Sequence, residues 1–222
     1  SNFAVVGCGK IGERHCEVLK NHPEVELVAV CDSTKERADS FATKFSAKAY
    51  YDYVELLEDN NIDIISICTP SGLHAKQAIA AAKAKKHIIC EKPMALTIED
   101  CDNMIQAAAE NNVRLFVVKQ NRYNEPILKL KEAIDKNKLG KLYLLSAHIL
   151  WNRTNQYYKE AAWRGTSTLD GGSLMNQSSH FVDLLHWLGG NVKSIYAKMD
   201  TFMHDIETED TGVVLIKFEN GA

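Results

Sequence analysis

Three clusters in this chain combine the residue types and spacing that hydride and proton chemistry needs. The first is Val5-Val6-Gly7-Cys8-Gly9-Lys10-Ile11-Gly12, a G-x-G-x-x-G run entered from an apolar strand at Phe3 to Val6 and followed by a helical pattern from Ile11. Gly7 allows a tight turn, Gly9 a close approach to a pyrophosphate, and Gly12 close packing of helix on strand. Phosphates then meet the unpaired N–H groups and positive dipole end at the helix N-terminus. The strand Val25 to Cys31 ends in Asp32, twenty residues past Gly12, where a carboxylate accepts bonds from ribose hydroxyls and repels a 2′-phosphate. Together these features predict a bound dinucleotide, NAD rather than NADP. The second cluster is Glu91-Lys92-Pro93, just after the strand His87 to Cys90, at the sheet edge where open α/β folds bind ligands. Pro93 holds Lys92 extended. A lysine beside a nicotinamide can polarise or deprotonate a hydroxyl, although E-K-P alone reads better as a solvated loop.

The third cluster is Gly171-Gly172-Ser173-Leu174-Met175-Asn176-Gln177-Ser178-Ser179-His180-Phe181-Val182-Asp183. On a helix Asn176 and His180 share a face, with Asp183 close by, while Leu174, Phe181, Leu184, Leu185 and Leu188 form the packing side. A lone histidine on such a helix is more often structural. The glycine pair and the polar face on an otherwise apolar helix favour a site here. His186 and Trp187 read as ordinary surface and core residues.

The elements that must carry these clusters follow from periodicity. Up to about Gln120, strand and helix alternate, which predicts a parallel sheet with right-handed crossovers. Helices are expected over Lys35 to Phe45, Val54 to Glu58 and Leu73 to Lys85, with strands at Ala47 to Tyr51, Ile62 to Cys68 and Leu115 to Val118. Thr69-Pro70-Ser71-Gly72 breaks the Ile62 strand, and Thr97-Ile98-Glu99-Asp100 starts a helix ending near Asn111-Asn112. Residues 1–121 are thus a Rossmann dinucleotide-binding domain. Residues 122–222 read as a second, α+β domain with an open, mostly antiparallel sheet. It contains a helix from Pro126 to Asn137, a long strand from Leu142 to Leu150, an irregular aromatic-rich stretch over 151–170, a helix from Gly172 to Leu188, and strands at Val192 to Met199 and Gly212 to Phe218. Asn220-Gly221 is a hairpin-turn signal without a returning strand, so the natural protein is expected to be longer.

With 222 residues, 45% of them hydrophobic, the chain can bury one large or two small cores. A net charge of −3 supplies no basic field for nucleic acid. No membrane-spanning run or signal peptide is read, and Ser1-Asn2 reads as a cloning remnant. The six cysteines lack C-x-x-C pairing, which indicates neither a disulfide framework nor a zinc site and suits the cytoplasm.

The G-x-G-x-x-G run with Asp32, Thr69-Pro70 with His74, Glu91-Lys92-Pro93, and the G-G…H-x-x-D helix, in this order over essentially the whole chain, resemble the glucose–fructose oxidoreductase and inositol dehydrogenase family. That resemblance implies an NAD-dependent oxidoreductase acting on sugar-like hydroxyls, without a metal, whose second domain forms homo-oligomer contacts (dimer or tetramer). It places Gly7, Gly9, Lys10, Ile11, Gly12, Asp32, Thr69, Pro70, His74, Glu91 and Lys92 at the cofactor. Lys92, His180 and Asn176 fall at the catalytic position, either Lys92 or His180 being the formal base. The family helix usually carries Asp where Asn176 stands, and an amide orients but cannot relay protons. Lys119-Gln120-Asn121-Arg122-Tyr123-Asn124, Trp163-Arg164-Gly165 and Met175-Asn176-Gln177 look like the branch that oxidises UDP-N-acetylglucosaminuronic acid at C3, in the assembly of bacterial surface polysaccharides. In that branch Lys92, Arg122, Tyr123, Arg164, Asn176, Gln177 and His180 would contact the substrate, the arginines meeting its carboxylate or phosphates. Either arginine reads equally as a cap or interface ion pair. The alternatives are a dehydrogenase of a free polyol such as inositol, and a regulator that binds NAD(H) without turnover.

Overall fold

A computed structural model describes residues 1–222, which divide into two compact units, Ser1–Val118 and Lys119–Ala222. The first contains β1 (Asn2–Val6), α1 (Lys10–Lys20), β2 (Glu26–Cys31), α2 (Lys35–Phe45), β3 (Lys48–Tyr50), α3 (Tyr53–Leu57), β4 (Ile64–Ile67), α4 (His74–Lys83), β5 (His87–Cys90), α5 (Ile98–Glu110) and β6 (Leu115–Val117). Its six strands pair in parallel in the order β3-β2-β1-β4-β5-β6. The strand order reverses between β1 and β4, and the carboxyl ends of those strands flank the crevice where doubly wound sheets bind ligands. Alternation sends Ala4 and Val6 into a core with Ile65, Ile67 and Ile88, whereas Val5 joins Cys16, Leu27, Val30 and Phe45 on the other face. Both faces are covered, as a parallel sheet requires. Ile65 and Ile67 are fully buried, each stabilising the sheet by roughly 1.5–3 kcal/mol.

Local chemistry starts the helices where the sequence suggests. Thr97 accepts the Asp100 N–H at 3.0 Å and caps α5. Asp52 accepts from Val54 and Glu55 at the head of α3. Four buried alanines on α4 (Ala75, Ala78, Ala81, Ala82) let that helix sit close to the sheet.

The second unit contains α6 (Glu125–Asp135), α7 (Asn155–Lys159), α8 (Ser179–Gly189), β7 (Val192–Asp200) and β8 (Thr211–Phe218). β7 and β8 form an antiparallel ladder in which Tyr196 faces Leu215. No helix in the chain is long and apolar enough to cross a membrane. Two expectations for this unit need correction. Residues Leu142 to Leu150 alternate like a strand but form none, because no strand of the chain pairs with them. A strand exists only through its ladder hydrogen bonds, and alternation supplies none of them. The expected helix from Gly172 is also not a single α-helix. Ser173–Gln177 is a π-helical turn, closed by the Ser178 N–H on the Ser173 carbonyl at 2.8 Å, and α8 begins after it. The irregular stretch 151–170 contains the short helix α7.

Candidate active site

The loop between β1 and α1 has the geometry its glycines allow. Gly7 has φ +99°, and a Cβ there would lie 2.7 Å from the Cys68 carbonyl. A Cβ on Gly12 would run into the Gly7 carbonyl oxygen, so helix and turn touch only because residue 12 is glycine. Around Gly9, by contrast, a Cβ would meet nothing within 4 Å. That open side borders the head of α1, whose N-cap is Gly9 and which has no side-chain cap. Lys10 and Ile11 form the exposed first turn. Helix N–H groups there, with room for phosphate, fit a dinucleotide.

Asp32, at the end of β2, is aimed by backbone donors: Cys8 N–H reaches one carboxylate oxygen at 2.9 Å and Thr34 N–H the other at 2.8 Å. The carboxylate thus stands beside the glycine loop, where adenosine ribose hydroxyls would meet it. Burial first, and then Asp32, push the Cys8 thiol up to about 12, and the same two causes do so for Cys31, so neither thiol is a nucleophile at neutral pH.

The ends of β4 and β5 build the next wall. Thr69 donates its hydroxyl to Gln77 at 2.5 Å, and Pro70 leads into a single 3₁₀ turn at Ser71–Leu73. His74, expected at the cofactor, is 1% exposed. Its ring nitrogens lie 2.8 Å from the Pro93 carbonyl and 2.9 Å from the Thr69 carbonyl, so it braces the two loops from beneath. Burial pulls its pKa below the ordinary imidazole value, against the two carbonyl bonds that favour the charged form. Glu91 is buried and accepts from His15 Nε2 at 3.0 Å and from the Lys92 N–H at 3.1 Å. Burial alone would raise the Glu91 pKa. The His15 hydrogen bond and charge, with the Lys92 N–H and ammonium, outweigh it and hold the carboxyl below its usual value. Lys92 is half-buried, and its peptide bond to Pro93 is cis.

In the second unit Asn176 and His180 are both buried. The Asn176 amide donates to Asp170, a carboxylate only 4% exposed, which also accepts the Gly165 N–H at 2.7 Å. His180 Nε2 lies 3.5 Å from Gln120 Nε2. Asp183 is bound by Arg122 through two bonds of 2.7 Å, and the guanidinium lies over Trp187. The Asp183 hydrogen bond raises the Arg122 pKa further. Arg164 reaches the Tyr157 carbonyl at 2.6 Å and Glu160 at 2.9 Å, its guanidinium 4.0 Å from the Tyr157 ring centre. Both arginines therefore sit in intrachain ion pairs. Gln177 accepts from Arg153 at 2.7 Å and donates to the Tyr157 hydroxyl at 2.8 Å, whereas Tyr123 is 79% exposed.

Sequence reasoning missed His15, Arg153 and Asp170, and quoted Gln120 within a motif without a role of its own. His15 lies three residues past Gly12 and carries no spacing signal of its own. Asp170 adjoins the glycine pair and was readable as polar, but its partner was not.

Residues 1–119 match the oxidoreductase family described as NAD-binding Rossmann fold, and residues 127–222 match the GFO/IDH/MocA C-terminal domain. A myo-inositol 2-dehydrogenase of Thermotoga maritima is 32% identical over 99% of this chain and 66% of its own length. The WlbA dehydrogenase from Bordetella pertussis, solved with NADH and UDP-GlcNAcA, superposes with a TM-score of 0.97 at 41% identity, over 100% of this chain and 68% of that one. WlbA from Chromobacterium violaceum, with the same two ligands, gives 0.97 and 41% over 100% of this chain and 64% of its own. The chain spans about two thirds of the length of these relatives.

Proposed function

The chain belongs to the GFO/IDH/MocA oxidoreductase family and binds NAD, and from that premise we propose that the full protein oxidises the C3 hydroxyl of UDP-N-acetylglucosaminuronic acid (UDP-GlcNAcA) to the 3-keto sugar. One observation supports this reading above the others: the two WlbA structures holding that sugar nucleotide are 41% identical over the whole chain, against 32% for the myo-inositol 2-dehydrogenase. NAD, when bound, accepts the hydride. In this reading Lys92 and His180 take the hydroxyl proton, both carrying side chains suited to general acid–base work. The Asn176 amide, with its nitrogen on Asp170, turns its oxygen away from that carboxylate as an acceptor. Gln177, Tyr123 and the arginines complete the substrate contacts in this proposal. A cytoplasmic homo-oligomer in surface-polysaccharide assembly belongs to the same reading, and exposed Tyr196 and Leu215, opposed on one face of the β7–β8 ladder, suit a subunit contact.

A second reading, oxidation of a free polyol, draws on the myo-inositol dehydrogenase likeness and on Arg122 and Arg164 both being held by carboxylates of the chain. The test uses full-length protein with NAD and a panel of UDP-GlcNAcA, UDP-N-acetylglucosamine, myo-inositol and glucose. NADH absorbance is followed, with a 2-oxo acid added where NADH stays bound. Preferred turnover of UDP-GlcNAcA supports the proposal. Equal or faster turnover of inositol transfers it to the second reading, and no turnover of any member favours a binding protein.

A further inference from the structure

Beneath the Lys92 loop lies a buried polar chain that no motif announces. His15 projects from α1 toward the sheet, its side chain 17% exposed. One ring nitrogen, Nδ1, lies 2.7 Å from the Ser66 hydroxyl on β4, whose residue is 1% exposed. The other, Nε2, lies 3.0 Å from Glu91 Oε1, and the second oxygen of that carboxylate accepts the Lys92 N–H at 3.1 Å. Three elements are thereby tied: the first helix, the central strand β4 and the segment carrying Lys92. A buried carboxylate persists only when its oxygens are satisfied. Here His15 satisfies one oxygen and the backbone of Lys92 the other.

We propose that His15 is a positioning residue for Lys92, acting through the Glu91 carboxylate that both of them engage. The proposal rests on the reading of Lys92 as an acid–base group. With His15 in place, the Glu91 charge is shared between an imidazole N–H and the lysine, and the backbone under Lys92 has one orientation. Without it, Oε1 loses its donor in a buried site. The carboxylate then leans on the nearest remaining cation, the Lys92 ammonium, and stabilises that charged form. A lysine that must be neutral to accept a proton would do so only at higher pH. Removing the Glu91 charge acts in the opposite sense, because the ammonium loses its counter-charge. Burial disfavours the charged forms of the other titratable groups around Glu91. Burial pushes the Cys90 thiol up to about 12 and that of Cys68 well above its ordinary value, and it holds His74 down.

The test measures kcat, NAD affinity and the pH–rate profile of full-length protein with NAD and UDP-GlcNAcA. His15→Ala should lower kcat roughly 10–100-fold through misplacement of the lysine, leave NAD affinity unchanged, and move the ascending limb to higher pH. Glu91→Gln should move that limb to lower pH. His15→Gln, which keeps an N–H within reach of Glu91, should restore most of the rate and the wild-type limb. Wild-type kcat in His15→Ala, or a lower kcat with an unmoved limb in both variants, would overturn the proposal. Should His15→Ala not fold, Ser66→Ala, which removes only the ring's other partner, should shift the limb the same way by less, and no shift counts against the idea. Lys92→Ala separates the two readings. Undiminished turnover there defeats the acid–base role itself, whereas an inactive Lys92→Ala beside a normal His15→Ala defeats only this inference.

Discussion

Replacing Asn176 with Asp installs the carboxylate that the family helix usually carries, but it does so against a second carboxylate. Asp170, 4% exposed, is hydrogen-bonded to the Asn176 amide. The change removes that N–H donor and sets two acceptors face to face in a buried site. Two unit charges about 4 Å apart repel by roughly 4 kcal/mol at an effective dielectric constant of 20. At 1.36 kcal/mol per pKa unit, that is about three units on one member of the pair. The pair therefore holds one proton near neutral pH, and the apparent pKa values belong to the pair rather than to either residue. The direction for stability follows. A carboxyl whose folded pKa lies above its unfolded value contributes fully at low pH and loses that contribution as pH rises through the folded value. The Asn176→Asp protein should match wild type near pH 4 and fall behind progressively toward pH 8, by up to about 4 kcal/mol. Denaturant or thermal unfolding of both proteins across that range measures the gap. The double change Asp170→Asn, Asn176→Asp restores one amide and one carboxylate, and should recover most of the loss by a double-mutant cycle. Equal stability of Asn176→Asp and wild type at pH 8 would refute the contact on which the reasoning depends.

Two further outcomes follow from the geometry. Asp32→Ala should weaken NAD binding by roughly 1.5–3 kcal/mol, about 10–100-fold in a calorimetric Kd, and narrow the preference over NADP. Arg122→Ala leaves the Asp183 carboxylate, 13% exposed, without its guanidinium, whose own side chain is 34% exposed. Discounted for that exposure, the loss in unfolding free energy should be about 1–2 kcal/mol, smaller than for a fully buried pair.

Much of the first unit was legible because its signals are local. The helix Lys35–Phe45 and the strand His87–Cys90 have the bounds that periodicity and flanking breakers suggest. The glycine loop was legible for a different reason: Gly7 and Gly12 answer steric demands that a residue with a Cβ would not meet. What stayed hidden depends on partners distant in sequence. Glu91 meets His15 across 76 residues, and the Leu174 N–H meets Glu209 across 35. The π turn at Ser173–Gln177 hid for a related reason. Its apolar spacing is that of an α-helix, while its shape is tied down by Asp170, Glu209 and Arg153 from outside the segment. Leu142 to Leu150 misled in the opposite direction, since alternation records a face to bury and not a strand to pair with.

The central claim is that Lys92 and His180 serve one proton transfer in the oxidation of a sugar-nucleotide hydroxyl. A double-mutant cycle on kcat, with UDP-GlcNAcA and NAD in full-length protein, tests it most directly. Lys92→Ala and His180→Ala should each lower turnover by roughly 10²–10⁴-fold with NAD affinity nearly unchanged. Groups that act as a unit are strongly non-additive, so the double variant should be little slower than the poorer single one. Losses that multiply independently, or wild-type turnover in either single variant, would contradict the account.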